Sequence, residues 1–246
     1  MGKRAKSQRG DTTLLITCEH GGNQIPSEYQ TLFRRLAKTL QTHRGYDPGA
    51  LALARDLSKA FNAELIYSTT SRLLVELNRS PGHPQLWSEA TRVLPHAERQ
   101  RLLERYYHPY RTQVEAQVAS AVASGKRVVH VSSHSFTPRL HGEVRRADIG
   151  LLYDPRRKME RALCLAWQHT IRETSSELIV RRNYPYRGTG DGLTTYLRRL
   201  HPQNSYAGIE IEVNQKYPLA DARTWRALRS ALIKSLACAL DTLDPS

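Results

Sequence analysis

The strongest constraint on the fold is an alternation that runs the length of the chain. Short, β-branched apolar runs take turns with segments of helical period. The runs fall at 13–18 (TLLITC), 63–68 (AELIYS), 72–77 (RLLVEL), 127–133 (RVVHVSS), 147–152 (ADIGLL), 177–181 (ELIVR) and 207–213 (AGIEIEV). Helical periodicity covers 28–41, 48–61, 88–123, 155–173, 190–200 and 218–242, with the third expected to break near Pro95 and Pro109. Strands interleaved with helices are the pattern of an α/β layered domain. No internal repeat, low-complexity segment or Pro/Gly/Ser-rich linker divides the chain, so 13–246 is expected to form one domain. Residues 1–12 read as a disordered basic tail, without the apolar core of a signal peptide.

Composition narrows the class further. With 39% apolar residues in 246, the chain can bury a substantial core. No apolar stretch approaches the 18 residues a membrane span needs. Cys18, Cys164 and Cys238 are odd in number and far apart, which suits reduced thiols in a cytoplasmic protein better than a disulfide framework. The formal charge of +14 could serve phosphate binding, so a basic nucleic-acid- or anion-binding protein is one functional class to weigh. Against it, the doublets Arg34-Arg35, Arg145-Arg146, Arg181-Arg182 and Arg198-Arg199 fall mostly on expected helices and near turns, as solvated faces do.

Three residues able to bind a metal or move a proton stand at the carboxyl ends of expected strands. His20 follows TLLITCE, His134 follows VVHVSS, and Glu212 lies near the end of AGIEIEV. Open α/β sheets form their ligand crevice at those ends. Two imidazoles and a carboxylate there suit a mononuclear zinc hydrolase, the carboxylate acting as general base. Each residue also has a plainer explanation. His20 before Gly21-Gly22 could mark a turn, and His134 could be a hydrogen-bonded core histidine. Glu210 and Glu212 share one strand face, which an edge strand facing water would also explain. Asp47 before Pro48 reads equally as a helix N-cap or as an oxygen ligand. Asn78-Arg79, after LLVEL, offers an amide and a planar fork suited to a carboxylate, although a surface arginine is the ordinary alternative.

The segments TCEHGGNQIP, the one containing Asp47, SRLLVELNRSP, VSSHSF, NYPYRGTGDG and EIEVNQKY occur in the order seen in the N-formylglutamate amidohydrolase family, over about residues 13–220. That family is similar in fold to the zinc carboxypeptidases: a three-layer αβα sandwich of the phosphorylase/hydrolase-like kind, with a mostly parallel, mixed central sheet. The resemblance implies one zinc per chain and hydrolysis of a small N-acyl amino acid, as in N-formylglutamate giving formate and glutamate. It implies His20 and His134 as metal ligands, Glu212 as catalytic base and Asn78-Arg79 as the carboxylate-recognition pair. Arg72 and Glu210 are further candidates for substrate binding. The wider carboxypeptidase pattern places a glutamate three residues after the first histidine, where this chain has Asn23. Asp47 is therefore the first candidate for third ligand and Glu19 the second, because Glu19 should point away from the His20 face of an extended strand. Two rival readings stand beside the hydrolase: a nucleic-acid-binding protein on the same scaffold, and a small-anion binder that has lost the metal. An arginine stripe beside a vacant strand-end crevice would favour the first of these rivals.

Overall fold

A computed structural model describes residues 12–242. The expected tail, except for Thr12, lies outside the described residues. In chain order the elements are β1 (Thr12–Cys18), a 3-10 segment (Ser27–Leu36) running into α1 (Ala37–Leu40), α2 (Ala50–Phe61), β2 (Glu64–Tyr67), α3 (His96–Leu102), a π-helical turn (Leu103–Tyr107) and α4 (His108–Ala123). There follow β3 (Arg127–Phe136), β4 (Arg139–Leu140), β5 (Glu143–Val144), β6 (Ile149–Leu152), α5 (Lys158–Thr174), β7 (Val180–Arg182), α6 (Leu193–Leu200), β8 (Tyr206–Asn214) and α7 (Ala222–Asp241).

Six strands form one sheet in the order β2-β1-β3-β8-β6-β7, and β4-β5 is a separate hairpin. Strands β2, β1, β3 and β8 are parallel, so their carboxyl ends share one edge. β6 runs antiparallel to β8, with β7 parallel to β6. The sheet is mixed and mostly parallel, as the resemblance implies. β8 sits between β3 and β6, so an edge strand cannot account for Glu210 and Glu212.

The two faces of the sheet differ in chemistry. One carries Ile16, Val131, Ile149, Ile209 and Ile211 into a core with Leu53 and Leu57 of α2, Trp167 of α5 and Leu232 and Leu236 of α7. The other packs Leu15, Val128 and Tyr206 under Tyr110, Val114 and Val118 of α4 and Leu193 and Leu197 of α6. On this second face the strands turn polar toward their carboxyl ends, through Thr17 and Glu19 and through His130, Ser132 and His134, all buried.

Three expectations are corrected. Residues 72–77 form no strand. Their backbone amides are taken by loop carbonyls instead: Arg72 N–H by Gly45 O, Leu74 N–H by Ser71 O and Glu76 N–H by Leu86 O. A short apolar run needs only burial, and Leu73, Leu74, Val75 and Leu77 obtain it in satellite clusters beside the sheet. The helix expected over 88–123 begins only at His96, just after Pro95. At Pro109 it does not break; the helix widens into the π turn immediately before a proline that has no N–H to offer. The helix expected over 28–41 is mostly 3-10.

A buried ion pair joins three of these elements. Glu160 of α5 accepts from Arg198 Nε of α6 (2.9 Å) and from Gly208 N–H of β8 (3.1 Å), while Arg198 donates to the carbonyls of Gly188 and Gly208. Neither side chain has more than 5% exposure. Removing one partner strands the other charge in a dry interior, which costs about 3–5 kcal/mol. We therefore expect Glu160→Ala to lower the urea midpoint by an amount corresponding to about 3–5 kcal/mol. A shift within experimental error would show that the pair carries no stability.

Candidate active site

β1 ends at Cys18, and the chain turns through Glu19 and His20 where Gly21 and Gly22 pass against the backbone of Ser68 and Thr69. A Cβ on Gly22 would lie 2.5 Å from Thr69 O, so this crossing requires a residue without a side chain. The turn presents His20 toward the end of β3. There His20 Nδ1 lies 3.3 Å and His134 Nδ1 2.9 Å from the same oxygen, Oδ2 of Asp47. One ligand atom from each of the three lies within 4.8 Å of the others, and all three residues are buried.

Asp47 is not a helix cap. The helix it precedes starts three residues later, after Gly49 in the left-handed region (φ 82°), and no side chain caps it. The Asp47 side chain turns inward instead, its backbone N–H held by His20 O. Burial works against its charge, but His20, His134 and Arg72 together hold its carboxyl well below the usual range.

The far nitrogen of each imidazole meets a buried carboxylate. His134 Nε2 is 3.0 Å from Glu19 Oε2, and Glu19 also accepts from Ser132 Oγ (2.6 Å) and Tyr110 OH (2.8 Å). His20 Nε2 contacts Glu76 Oε1 at short range. With both Nε2 atoms occupied, the Nδ1 atoms are left to face Asp47 and any ion bound beside it. Glu19 thus points away from the His20 side, as expected for an extended residue, and it holds His134 rather than joining the three. Glu76 was missed at the sequence level. Its signal was a lone carboxylate inside the apolar run LLVEL. Burial opposes ionisation of both glutamates, yet hydrogen bonds and opposite charge keep their pKa values low: His134 and Ser132 for Glu19, Arg72 and His20 for Glu76.

Arg72 belongs to the same network. Its Nη1 donates to Asp47 Oδ1 (3.1 Å) and its Nε to Glu76 Oε2 (2.8 Å). The guanidinium thereby braces the ligand candidate Asp47 and the carboxylate behind His20.

Glu212 lies beside His134 in the β3-β8 register and beside Gly150 in the β8-β6 register. It is 5% exposed, and its Oε2 has no hydrogen-bond partner among the described residues. Burial foremost, with Asp47 and Glu210, pushes its carboxyl up to about 8, against the opposing pull of His134 and Arg72. A buried polar atom without a partner is rare enough to demand an explanation. Here that atom lies next to the His-Asp-His group.

Asn78, Arg79 and Glu210 gather on the neighbouring side. Asn78 Oδ1 accepts from Leu193 N–H (2.7 Å) and Glu210 Oε1 from Thr194 Oγ1 (2.8 Å), both at the start of α6. A Cβ on Gly192 would lie 3.2 Å from each of those oxygens. Arg79 Nη1 donates to Asp191 O (2.5 Å), which sets the plane of its guanidinium. The carbonyls on either side of Asn78 are pinned from the α4 side: Tyr107 OH, in the π turn, donates to Arg79 O (2.6 Å), and Arg111 Nη1 to Leu77 O (3.2 Å). Arg111 is itself stacked between the rings of Tyr107 and Tyr196. A cavity of about 670 Å³ at the opposite end of the strands, between Phe61, Glu64, Val128 and Ile233, holds no comparable group.

The donor set of two imidazole nitrogens and a carboxylate oxygen fits a divalent metal ion of the zinc type. Beside it stand a buried general-base candidate and an amide–guanidinium pair. Such a set can activate water against an acyl group next to a carboxylate.

Comparison with known proteins agrees with this chemistry. The family model for N-formylglutamate amidohydrolase matches residues 12–218. Comparison with curated proteins gives no match. Among solved structures, a gene product of Agrobacterium tumefaciens is similar at 34% identity and a TM-score of 0.81, over 96% of this chain and 92% of that one. An N-formylglutamate amidohydrolase from Ralstonia eutropha JMP134 is similar in fold at 21% identity and a TM-score of 0.67, over 96% and 94%. The chain belongs to the N-formylglutamate amidohydrolase family, hydrolases of carbon–nitrogen bonds other than peptide bonds.

Proposed function

We propose that the protein hydrolyses the amide of a small N-acyl amino acid of the N-formylglutamate kind, giving formate and glutamate, with one zinc ion held by His20, Asp47 and His134. The observation that carries this reading is the unpartnered, buried Oε2 of Glu212 beside the His-Asp-His group. Zinc, when bound, supplies Lewis acidity that lowers the pKa of a water toward ~7.

The protein groups do the rest. Asn78 and Arg79 bind the substrate's α-carboxylate and so orient the scissile amide. Glu212 accepts the proton of the attacking water as its oxygen adds to the acyl carbon. The C–N bond then breaks, and Glu212 returns the proton to the leaving nitrogen. Glu19 and Glu76 hold the two imidazoles in the orientation that turns Nδ1 toward the ion. Glu210, fixed by Thr194, lines the substrate side.

Three sets of variants test the reading. Zinc should be present at about one per chain in protein purified without chelator, and His20→Ala or His134→Ala should lose most of it. Glu19→Gln should weaken zinc binding by about 10–100-fold in a chelator competition, with the circular dichroism spectrum unchanged. Full occupancy in both histidine variants would show that other residues bind the ion.

For the base, Glu212→Gln should lower kcat by about 10²–10⁴-fold with zinc retained, and Glu210→Gln should cost much less. A larger loss at 210 would exchange the two roles. For recognition, Arg79→Ala should lower kcat/KM by about one to two orders of magnitude, as loss of a charge-assisted pair of roughly 1.5–3 kcal/mol implies. Unchanged kcat/KM would remove Arg79 from the site.

A further inference from the structure

Most arginines that approach the molecule's interior have an acid beside them. Arg72 is paired with Asp47 and Glu76, Arg157 and Arg198 with Glu160, and Arg229 with Asp56. Arg111, held between two tyrosines, and Arg79 are exceptions, and so is Arg145. Among the described residues no Asp or Glu oxygen lies within 4.0 Å of its guanidinium, although both its backbone and its side chain are fixed.

Its place is set from two directions. The Arg145 N–H donates to Pro138 O (2.8 Å), closing the base of the β4-β5 hairpin, and its carbonyl accepts from Asn214 Nδ2 (3.2 Å). Asn214 is buried and ends β8, two residues beyond Glu212. The side chain is held by Tyr186 of the loop between β7 and α6: Arg145 Nη1 donates to Tyr186 OH (3.0 Å), and the guanidinium lies 5.0 Å from that ring's centre. The same loop is seated against the strand pair that carries Glu212. The position a Cβ would take on Gly150, Glu212's partner in β6, lies 1.9 Å from Tyr184 O. The hairpin and the loop therefore meet beside the Glu212 end of the site.

The surrounding field agrees. His43, four residues before Asp47, is lowered by burial and then by Arg72, Arg44 and Arg145. Arg44 is matched by Glu89, but Arg145 brings a cation to the site that no carboxylate of the described chain neutralises. Arg79 is the other arginine at the site without an ion pair. Two such cations, each with its guanidinium plane set by a neighbour, match a ligand with two carboxylates.

We propose that Arg145, positioned by Tyr186, is a specificity-determining residue that receives the second carboxylate of a dicarboxylic N-acyl amino acid. The proposal rests on the amidohydrolase reading above, with Arg79 taking the α-carboxylate. Tyr186 is 47% exposed, so the pair reaches solvent and can take the distal end of a substrate whose amide lies deeper.

The test compares N-formyl-L-glutamate with N-formyl-L-glutamine, which differ by one charge at nearly equal size, using zinc-loaded enzyme. Wild type should favour the glutamate, and Arg145→Met should lower the glutamate-to-glutamine ratio of kcat/KM by about tenfold or more, mainly through KM. Arg145→Lys should keep part of the preference, because it keeps the charge without the fork. Tyr186→Phe should lower the ratio by a few-fold, since it releases the guanidinium without removing it. A ratio unchanged in Arg145→Met, or wild type without preference, would overturn the proposal and mark Arg145 as a solvated surface residue. If wild type cleaves neither compound, the amidohydrolase reading itself falls. In that case calorimetry with glutarate and its monoamide decides: lost preference in Arg145→Met supports the assignment, and equal preference overturns it.

Discussion

Everything at the carboxyl edge of the sheet depends on the burial of four carboxylates beside two imidazoles. An isolated carboxylate in an apolar interior is strongly disfavoured and is tolerated only when charge and hydrogen bonds compensate. Asp47, Glu19 and Glu76 each receive that compensation, from both histidines and Arg72, from His134, Ser132 and Tyr110, and from Arg72, His20 and the Asn78 N–H. Those partners come from β1, β3, α4 and the 71–78 segment, so the network ties loops of distant sequence to one point. Burying so many charges contributes little to stability compared with an apolar core of the same volume. A chain that nonetheless builds such a cluster does so for its chemistry.

The basic balance of the composition acquires a structural explanation from the same residues. Arg111, Arg157 and Arg198 are not solvated ornaments. They donate to backbone carbonyls at the ends of loops and strands, to Leu77, to Tyr206 and His201, and to Gly188 and Gly208. Guanidinium suits that role because its donors diverge in one plane and can close several carbonyls at once. The loop over α6's start, with Asp191 and Gly192, is held from one side by Arg198 and from the other by the Ser80–Asp191 bonds. Asn78 and Arg79 inherit their orientation from this bracing. The strand-end crevice, moreover, contains the His-Asp-His group, whereas a binding-only reading would have it vacant.

How much of this could be read from the sequence depended on periodicity. β1, β3 and β8 declare themselves by β-branched runs that end in chemically capable residues, and His20, His134 and Glu212 are found where those runs stop. Asp47 illustrates a limit: a helix-start pattern fits it fully, and only the φ of Gly49 and the inward turn of the side chain separate the two roles. The 72–77 run illustrates another. A short, continuously buried apolar run is common to a strand and to a coiled segment whose side chains find buried clusters, so Glu76 and Arg72 could be placed only by long-range contacts. Glu19, Tyr110 and Ser132 meet across 91 to 113 residues, a separation that no local pattern encodes.

The function proposed above links the Glu212 carboxylate to the His-Asp-His group beside it. To take a proton from water, that carboxylate must be ionised, yet burial, with Asp47 and Glu210, pushes it up to about 8. Near neutral pH such a group spends much of its time protonated and cannot act as a base. A divalent cation beside Asp47 reverses the local field, because an ion's charge outweighs the surrounding partial charges and favours the carboxylate form. Dryness then becomes useful: an anion without a hydrogen-bond partner is a stronger proton acceptor than a solvated one. In the role proposed for it above, the buried Oε2 of Glu212 is therefore a poor base without a neighbouring cation and a good one with it. The same desolvation that would silence the residue in isolation couples its activity to occupancy of the group next to it.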